Sequence, residues 1–600
     1  MLDIEEVVED KDYSLRISPE LYENIKKFLI DDNISLQKSW GAIEHEFRDR
    51  YHSVLSKKAL RYVYEREISS SFPQNIIKKS MRSEHGVFVV SVVTSPYPKY
   101  VDENGIMKQQ RFSCLHNCVF CPTQPNYPKS YLEGEPGVDR AFTVDYDVVK
   151  QIHVRLDSYV RMGQVPDKLE IIVLGGTWSE YPKAYRDNVI QDIYYAVNTY
   201  KIPDDQGERY GLHKNSHLRL QSESESKPKL EPPTIPKLRQ KLILSEEIHL
   251  NETNDIHIIG LTLETRPDSI NMEEIQTFRD YNCTRVQLGV QHTNNRILKE
   301  IKRGHHIEDS MRAIKLLLDN GFKVDIHLMP NLPGSSLEDD KDMIHTMLTD
   351  TRLRADQWKV YPTSVVPWSI LERWFKQGKY QPYDDIALLE LLLDMKKQIP
   401  EWIRLNRIVR DIPIRHINGG CETPHMRQLL HVEMEKRGIV CQCIRCRSVK
   451  SNKNYDLGVG SSYTKVEAYE SSGGMEHFIS HVSNDNTILF GFARLRISCE
   501  EKDINQQCNI LDEIRECALI RELHVYGSVS IVEKDKDKNM AIDFEKTQHR
   551  GIGKLLMARA EKIATENKYK KIAVIAGVGV RNYYRKLGYE LKSSYMIKEL

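Results

Sequence analysis

Residues 111–121 read R-F-S-C-L-H-N-C-V-F-C, and the spacing of Cys114, Cys118 and Cys121 governs how the rest of the chain is read. Three thiolates in a C-x-x-x-C-x-x-C run can hold three irons of a 4Fe-4S cluster while the fourth iron stays open to an exogenous ligand. S-adenosylmethionine (SAM) is a ligand that needs such a position. Phe120 and Pro122 sit beside the thiolates, where they would keep water from a cluster. A zinc knuckle and three unrelated buried thiols are the plainer alternatives.

Outward from this loop, short apolar runs alternate with helical patterns. The runs are V-F-V-V-S-V-V at 87–93, L-E-I-I-V-L at 169–174, I-H-I-I-G-L-T-L at 256–263, T-R-V-Q-L-G-V at 284–290, K-V-D-I-H-L-M at 323–329 and Q-W-K-V-Y at 357–361. Strands alternating with helices predict an α/β fold with a parallel sheet or partial barrel, whose chemistry lies at the carboxyl ends of the strands. Polar residues stand at those ends: Gly175-Gly176-Thr177, Glu264-Thr265-Arg266 and Gln291-His292. Gly175 and Gly176 would let backbone approach an amino-acid-like ligand. Glu264 and Arg266 are candidate partners for the charges of SAM.

The flanks read differently. Residues 1–82 combine helical patterns with basic residues (Lys57, Lys58, Arg61, Lys78, Lys79, Arg82), which suit a phosphate backbone or a solvated helix face equally. The polar stretch at about 203–250 cannot bury enough apolar surface to fold alone and reads as a mobile surface loop. Residues 376–455 contain an apolar helix at 386–399 and the run C-Q-C-I-R-C. Cys441, Cys443 and Cys446, with Cys421 as favoured fourth ligand and His416, His425 and His431 nearby in sequence, predict a structural zinc site stapling a linker. Residues 456–600 order strand, strand, Q-x-x-G-x-G helix, strand and N-Y-Y helix. The turn Gln548, Gly551, Gly553 opens the helix, so free N–H groups and Lys554 would face a pyrophosphate, which points to coenzyme A.

With 600 residues the chain exceeds one core, and 86 basic against 86 acidic residues leave no global field for nucleic acid, so RNA contact needs local patches. Its 11 cysteines fit metal sites in a reducing compartment better than disulfides. The acidic first thirty residues and the lack of any run near 18 apolar residues predict a cytoplasmic protein without membrane contact.

Taken together, R-F-S-C-x-x-x-C-x-x-C-P, P-K-S-Y-x-x-x-E-P at 128–136, V-L-G-G-T-W, L-T-L-E-T-R-P-D, L-G-V-Q-H-T, R-D-I-P, R-E-L-H-V-Y-G-S-V and G-V-R-N-Y-Y-R-K-L-G-Y-E resemble the catalytic subunit family of Elongator. The resemblance runs from about Asn75 to Leu600, apart from the insertion. It implies a partial radical SAM barrel (83–375), a zinc-stapled linker (376–455) and a GNAT acetyltransferase domain (456–600), preceded by a basic tRNA-binding extension (1–82). It implies an enzyme using a SAM-derived 5'-deoxyadenosyl radical and acetyl-CoA to form 5-carboxymethyluridine at the wobble position of a tRNA anticodon stem-loop, with other Elongator-type subunits as partners. By the same resemblance, Cys114, Cys118 and Cys121 are the cluster ligands, and Lys168 contacts acetyl-CoA from the radical domain. Glu522, Leu523, His524 and Val525 form the strand beside the pantetheine arm, Ile552, Gly553 and Lys554 the pyrophosphate turn, and Tyr584 the acetyl-CoA tyrosine. Three features depart from the family: the first two cysteines are closer than usual, Thr123-Gln124 replaces its glycine pair, and the insertion at about 203–250 is extra. A protein lysine acetyltransferase with a structural barrel, and an inactive RNA-binding platform, are the other functions the sequence allows.

Overall fold

A computed structural model describes residues 8–9, 16–32, 34, 36, 40–68, 86–102, 104–162, 164–201, 238–421, 423, 426–449, 462–498, 509–526 and 551–600. The chain divides into two compact units, one of residues 1–81, 148–167 and 191–256, the other of residues 82–147, 168–190 and 257–600.

The first unit is built on three helices, Pro19–Ile30, Trp40–Tyr51 and Lys57–Glu67. Ser18 and Ser56 cap the first and third by accepting from Leu21 N and Ala59 N. Ile25, Phe28, Ile43, Phe47, Leu60 and Val63 are fully buried together. Arg61, read as either a phosphate contact or part of a solvated face, is instead buried and donates to the Arg161 carbonyl at 2.6 Å, so its charge serves packing. Lys78, Lys79 and Arg82 lie outside the described residues. The expectation of a mobile loop to residue 250 also needs correction. Residues 244–251 form a helix whose Glu247 is fully buried by a bidentate Arg239 contact at 2.7 and 2.6 Å and by Asn198, which the sequence pattern did not reveal. Residues 202–237 lie outside the described residues.

The second unit holds the partial barrel. Its strands are β1 (Phe88–Val93), β2 (Lys168–Leu174), β3 (His257–Thr265), β4 (Arg285–Gln291), β5 (Lys323–Leu328), β6 (Gln357–Val360) and β7 (Arg404–Ile408). They lie in the order β7-β6-β5-β4-β3-β2-β1 and every pair is parallel. Strand β7 falls in the stretch read as linker, and it closes this sheet. Period-two alternation gives the strands two characters. Val286, Leu288, Val290, Val324, Ile326, Leu328, Trp358 and Val360 are buried apolar residues, whereas the alternate positions of β4–β6 carry Arg285, Gln287, Gln291, Lys323, Asp325, His327, Gln357 and Lys359.

A second seven-stranded sheet consists of β8 (Ser462–Ser471), β9 (Gly474–Ser483), β10 (Leu489–Ser498), β11 (Cys517–Val525), β12 (Lys571–Val574), β13 (Glu590–Lys592) and β14 (Tyr595–Glu599), ordered β8-β9-β10-β11-β12-β14-β13. All its pairs are antiparallel except β11 with β12. This sheet docks on the amino ends of the barrel strands. Asp356, just before β6, accepts from Arg521 Nη1 and Nη2 at 2.8 and 2.7 Å and pairs with Arg494 at 3.4 Å. Arg496 bridges Asp319 and Glu476. Glycine permits the closest approach, because a Cβ at Gly577 would sit 2.0 Å from the Ile259 carbonyl oxygen and one at Gly579 2.3 Å from His257 Cβ. Among the described residues no helix is long and apolar enough to cross a membrane.

Candidate functional site

The cysteine loop lies at the carboxyl ends of the barrel strands, and apolar anchors fix it there. Val119 is fully buried beside Val365, Leu371 and Tyr380, its N–H donates to the Ile301 carbonyl at 3.0 Å, and Phe120 packs against both that cluster and Ile297, Leu298 and Leu332. Cys118 is buried, while Cys114 and Cys121 are half-buried. Donors reach two of the sulfurs: Arg303 Nη1 lies 3.5 Å from Cys118 Sγ and Thr177 Oγ1 3.5 Å from Cys114 Sγ. Burial pushes the Cys121 thiol up to about 12 and the Cys114 thiol upward, so a cationic centre is what would hold them as thiolates.

The two cysteine triplets are spread differently. Among the described residues, Cys441, Cys443 and Cys446 are the one group whose ligand atoms all lie within 4.8 Å of each other. Sulfurs sharing one tetrahedral zinc ion stand about 3.8 Å apart, given a bond of about 2.3 Å. The sulfurs of Cys114, Cys118 and Cys121 do not form so compact a group, although Cys121 feels the charge of both Cys118 and Cys114. The compact triplet suits a single ion, with hydrogen bonds from Cys441 and Cys446 holding the Cys443 thiol well below the ordinary range. Buried Lys396 donates to Cys446 Sγ at 3.5 Å and balances the sulfur charge. Cys421, expected as fourth ligand, is not in this group. Its backbone follows Gly419, which bridges to Val365, and its thiol turns to the Thr423 carbonyl at 3.8 Å. His431 feels the charge of Cys443 and is kept neutral by burial and by Lys396, the state in which imidazole ligates. His416 instead contacts the Glu133 carbonyl at 2.9 Å, and His425 lies outside the described residues.

A cleft of about 1020 Å³ opens at the cysteine loop, lined among others by Arg111, Cys114, Cys121, Lys129, Trp368 and Arg373. Trp368 is 54 % exposed and held at φ 64°, a conformation bulky side chains rarely adopt. The glycine pair expected to admit a ligand admits protein atoms as well. A Cβ at Gly176 would fall 2.0 Å from the Phe112 ring, which stacks on Tyr181 with centroids 3.8 Å apart, and a Cβ at Gly175 would meet Thr94 Oγ1 at 1.8 Å. The pair therefore seats the start of the cysteine loop against the end of β2. Arg266 is likewise committed: it is 2 % exposed, contacts Asp268 at 3.0 and 2.9 Å and donates to the Arg303 carbonyl at 2.7 Å. It supports Arg303, which in turn reaches Cys118. Glu264 lies 3.6 Å from His327 Nδ1, its carboxyl raised by burial.

The residues expected at acetyl-CoA lie toward the opposite end of the barrel. Lys168 is the first residue of β2, pairs in register with His257, and stands about 23 Å from Gly175 at about 3.3 Å per residue. His257 is the residue that Gly579 touches. Along β11, strand β12 pairs with no residue beyond Ile520, so Glu522, Leu523, His524 and Val525 continue past its end. Glu522 contacts Arg494 at 3.1 Å and Lys323 at 3.9 Å, and burial lowers His524 to about 3. Gly551, at φ 83°, precedes the helix Ile552–Glu566. Ile552 is buried, Lys554 is exposed, and a Cβ at Gly553 would come 2.8 Å from Tyr583 Oη. Tyr584 is buried beside Tyr583 and Tyr589. Gln548 lies outside the described residues.

The sequence reading missed the polar rows of the half-barrel. Glu264 pairs in register with Gln287, Gln287 with Asp325 and Asp325 with Gln357, while His327 stands opposite Lys359. The signal was present as alternate polar residues in R-V-Q-L-G-V-Q, K-V-D-I-H-L and Q-W-K-V-Y, runs read only for their apolar content.

The pattern of the radical SAM superfamily matches residues 231–347, and that of the radical SAM C-terminal domain residues 355–436. A tRNA uridine(34) acetyltransferase of Dehalococcoides mccartyi is 34 % identical over 525 residues, covering 87 % of this chain and 100 % of that protein. Another from Methanocaldococcus infernus is 35 % identical over 558 residues, 91 % of each. Elongator complex protein 3 of Homo sapiens is 32 % identical over 538 residues, 87 % of this chain and 86 % of that one. Among solved structures, the archaeal Methanocaldococcus infernus Elp3 with an N-terminal deletion superposes with a TM-score of 0.64 at 32 % identity, covering 86 % of this chain and 100 % of the other.

Proposed function

The chain belongs to the family of tRNA uridine(34) acetyltransferases and Elongator complex protein 3, and we propose that it modifies the wobble uridine of tRNA by radical SAM chemistry, with acetyl-CoA as source of a carboxymethyl group on carbon 5. The observation that carries this reading is a three-cysteine loop anchored by Val119 and Phe120 at the carboxyl mouth of a parallel half-barrel. Cys114, Cys118 and Cys121 would hold a 4Fe-4S cluster, and the lining of the adjoining cleft would face SAM. Glu522–Val525, Gly551–Lys554 and Tyr584 would hold acetyl-CoA, with Lys168 at the same end. When bound, the cluster and SAM supply one-electron chemistry able to take hydrogen from an unactivated methyl group.

The chain's own residues prepare this. Arg303 donates toward Cys118 Sγ and would steady negative charge on the cysteine loop, while the Thr177 hydroxyl lies against Cys114 Sγ. Phe112, stacked on Tyr181, and Phe120 keep water from the same side. The exposed Trp368 and the cations Arg111, Lys129 and Arg373 suit an unpaired loop of RNA, whose bases stack on aromatic rings while its phosphates meet positive charge. Because Lys168 and Gly175 are about 23 Å apart along β2, residues at Glu522–Val525 and Lys168 would have to hold acetyl-CoA so that its acetyl group could extend along the half-barrel. Cys441, Cys443 and Cys446 would hold zinc as a staple.

Anaerobic incubation with tRNA and methyl-labelled acetyl-CoA is expected to place label on uridine. Alanine at Cys114, Cys118 and Cys121 together is expected to reduce labelling to background. Label transfer by that triple variant, or SAM-independent acetylation of protein amines in place of tRNA labelling, would overturn the reading.

A further inference from the structure

The half-barrel contains a cluster of buried polar groups that the fold does not satisfy. Asp325 is fully buried; its Oδ2 accepts from Asn406 Nδ2 at 2.9 Å, and its Oδ1 has no hydrogen-bond partner. His327 is 6 % exposed; its Nδ1 faces Glu264 Oε1 at 3.6 Å, and its Nε2 has none. Lys359, opposite His327 on the neighbouring strand, donates one of its three N–H groups to Gln287 Oε1 at 2.5 Å. Leaving buried acceptors unpaired costs about 1–3 kcal/mol each, so such groups at the functional end of a barrel mark a place where a ligand supplies the partners.

The chemistry of the cluster specifies the ligand. Burial and the charges of Lys359, Arg410 and Arg303 hold His327 far below its ordinary range, so the ring is neutral. Nδ1 faces the Glu264 carboxyl across 3.6 Å, and in the tautomer that carries its proton on that side Nε2 is an acceptor. The ligand must therefore bring an N–H to Nε2 and, next to it, an oxygen to the ammonium of Lys359. The pairing edge of uracil is a ring N–H flanked by two carbonyl oxygens. Cytosine would set a ring lone pair against Nε2, leaving both acceptors unpaired, which a closed polar site rejects strongly.

We infer that His327 and Lys359 read the pairing edge of the target uracil, Nε2 of His327 taking the ring N–H and Lys359 the adjacent carbonyl, with Glu264 fixing the histidine tautomer as a positioning residue. This rests on the wobble-uridine reading given above, and it assigns the base-recognition step to named side chains.

The test is equilibrium binding of synthetic anticodon stem-loops carrying uridine, N3-methyluridine or cytidine at position 34 to the full-length protein, with product formation followed in parallel. The wild-type protein is expected to prefer uridine by on the order of ten-fold to a hundred-fold. In His327→Asn and in Lys359→Met, each with an unchanged thermal midpoint and unchanged iron-sulfur absorbance, that preference is expected to collapse to within about three-fold. A preference retained in both variants, or absent from the wild-type protein, overturns the inference. A wild-type preference that both variants lose, but without any labelled product from the wild-type protein, would overturn the proposed reaction and leave the base assignment standing.

Discussion

The two ends of the half-barrel are built on opposite principles. At the amino ends of the strands, buried charges are paired on every side: Asp356 with Arg521 and Arg494, Glu476 with Arg496 and Arg521, Asp319 with Arg496. Toward the carboxyl ends, His327 and Asp325 leave acceptors unpaired, and Gln291, Asn331, Trp368 and Val409 hold positive φ angles. Satisfied charge fastens the second sheet to the barrel. Unsatisfied polar atoms and strained backbone are what a protein keeps where a ligand completes the structure.

The contrast is broken most sharply at Asp356. Asp356→Asn is expected to lower stability by about 3–5 kcal/mol, because it strips Arg521 and Arg494 of a buried partner, and chemical denaturation measures it. The native pH profile should agree. Although burial opposes it, Arg521 and Arg494 hold the Asp356 carboxyl at about 2, below its ordinary 3.8. Its contribution is therefore complete above about pH 4 and lost as pH falls through about 2.

Gly176→Ala tests the other end at smaller cost. The new Cβ would enter the Phe112 ring, and overpacking of this kind costs about 1–3 kcal/mol. The expected signature is a loss of iron per chain after reconstitution that exceeds the modest drop in melting temperature. Asp325→Asn should act in the opposite sense to Asp356→Asn. Burial raises the Asp325 carboxyl, so its ionisation works against the native state as pH rises above the unfolded value, and amide replacement is expected to add about 1 kcal/mol at neutral pH. Equal destabilisation by Asp325→Asn and Asp356→Asn would dissolve the distinction between the two ends.

Much of this architecture was legible in the sequence. The alternation of apolar runs with helical patterns predicts the parallel sheet, and the spacing of Cys114, Cys118 and Cys121 sets that triplet apart from Cys441, Cys443 and Cys446 before any coordinates are considered. Three features were hidden for physical reasons. Strand β7, R-L-N-R-I, is too polar to read as a buried strand because Arg404 and Asn406 face the other polar groups of the barrel, Asn406 reaching Asp325 and Gln357. Arg61 reads as a phosphate contact or a solvated charge because sequence charge does not reveal that a helix turns its guanidinium toward a carbonyl. Cys421 reads as a zinc ligand because proximity in sequence is the only guide there, whereas the Gly419 to Val365 bridge fixes where it goes.

The central claim is that the three sulfurs of the 111–121 loop bind a cube of irons and leave one iron open at the mouth of the barrel. Anaerobic reconstitution followed by low-temperature electron paramagnetic resonance of the reduced protein, with and without SAM, tests it directly. The account predicts four irons per chain and a signal that shifts when SAM is added. A colourless protein, or a cluster signal indifferent to SAM, would contradict it.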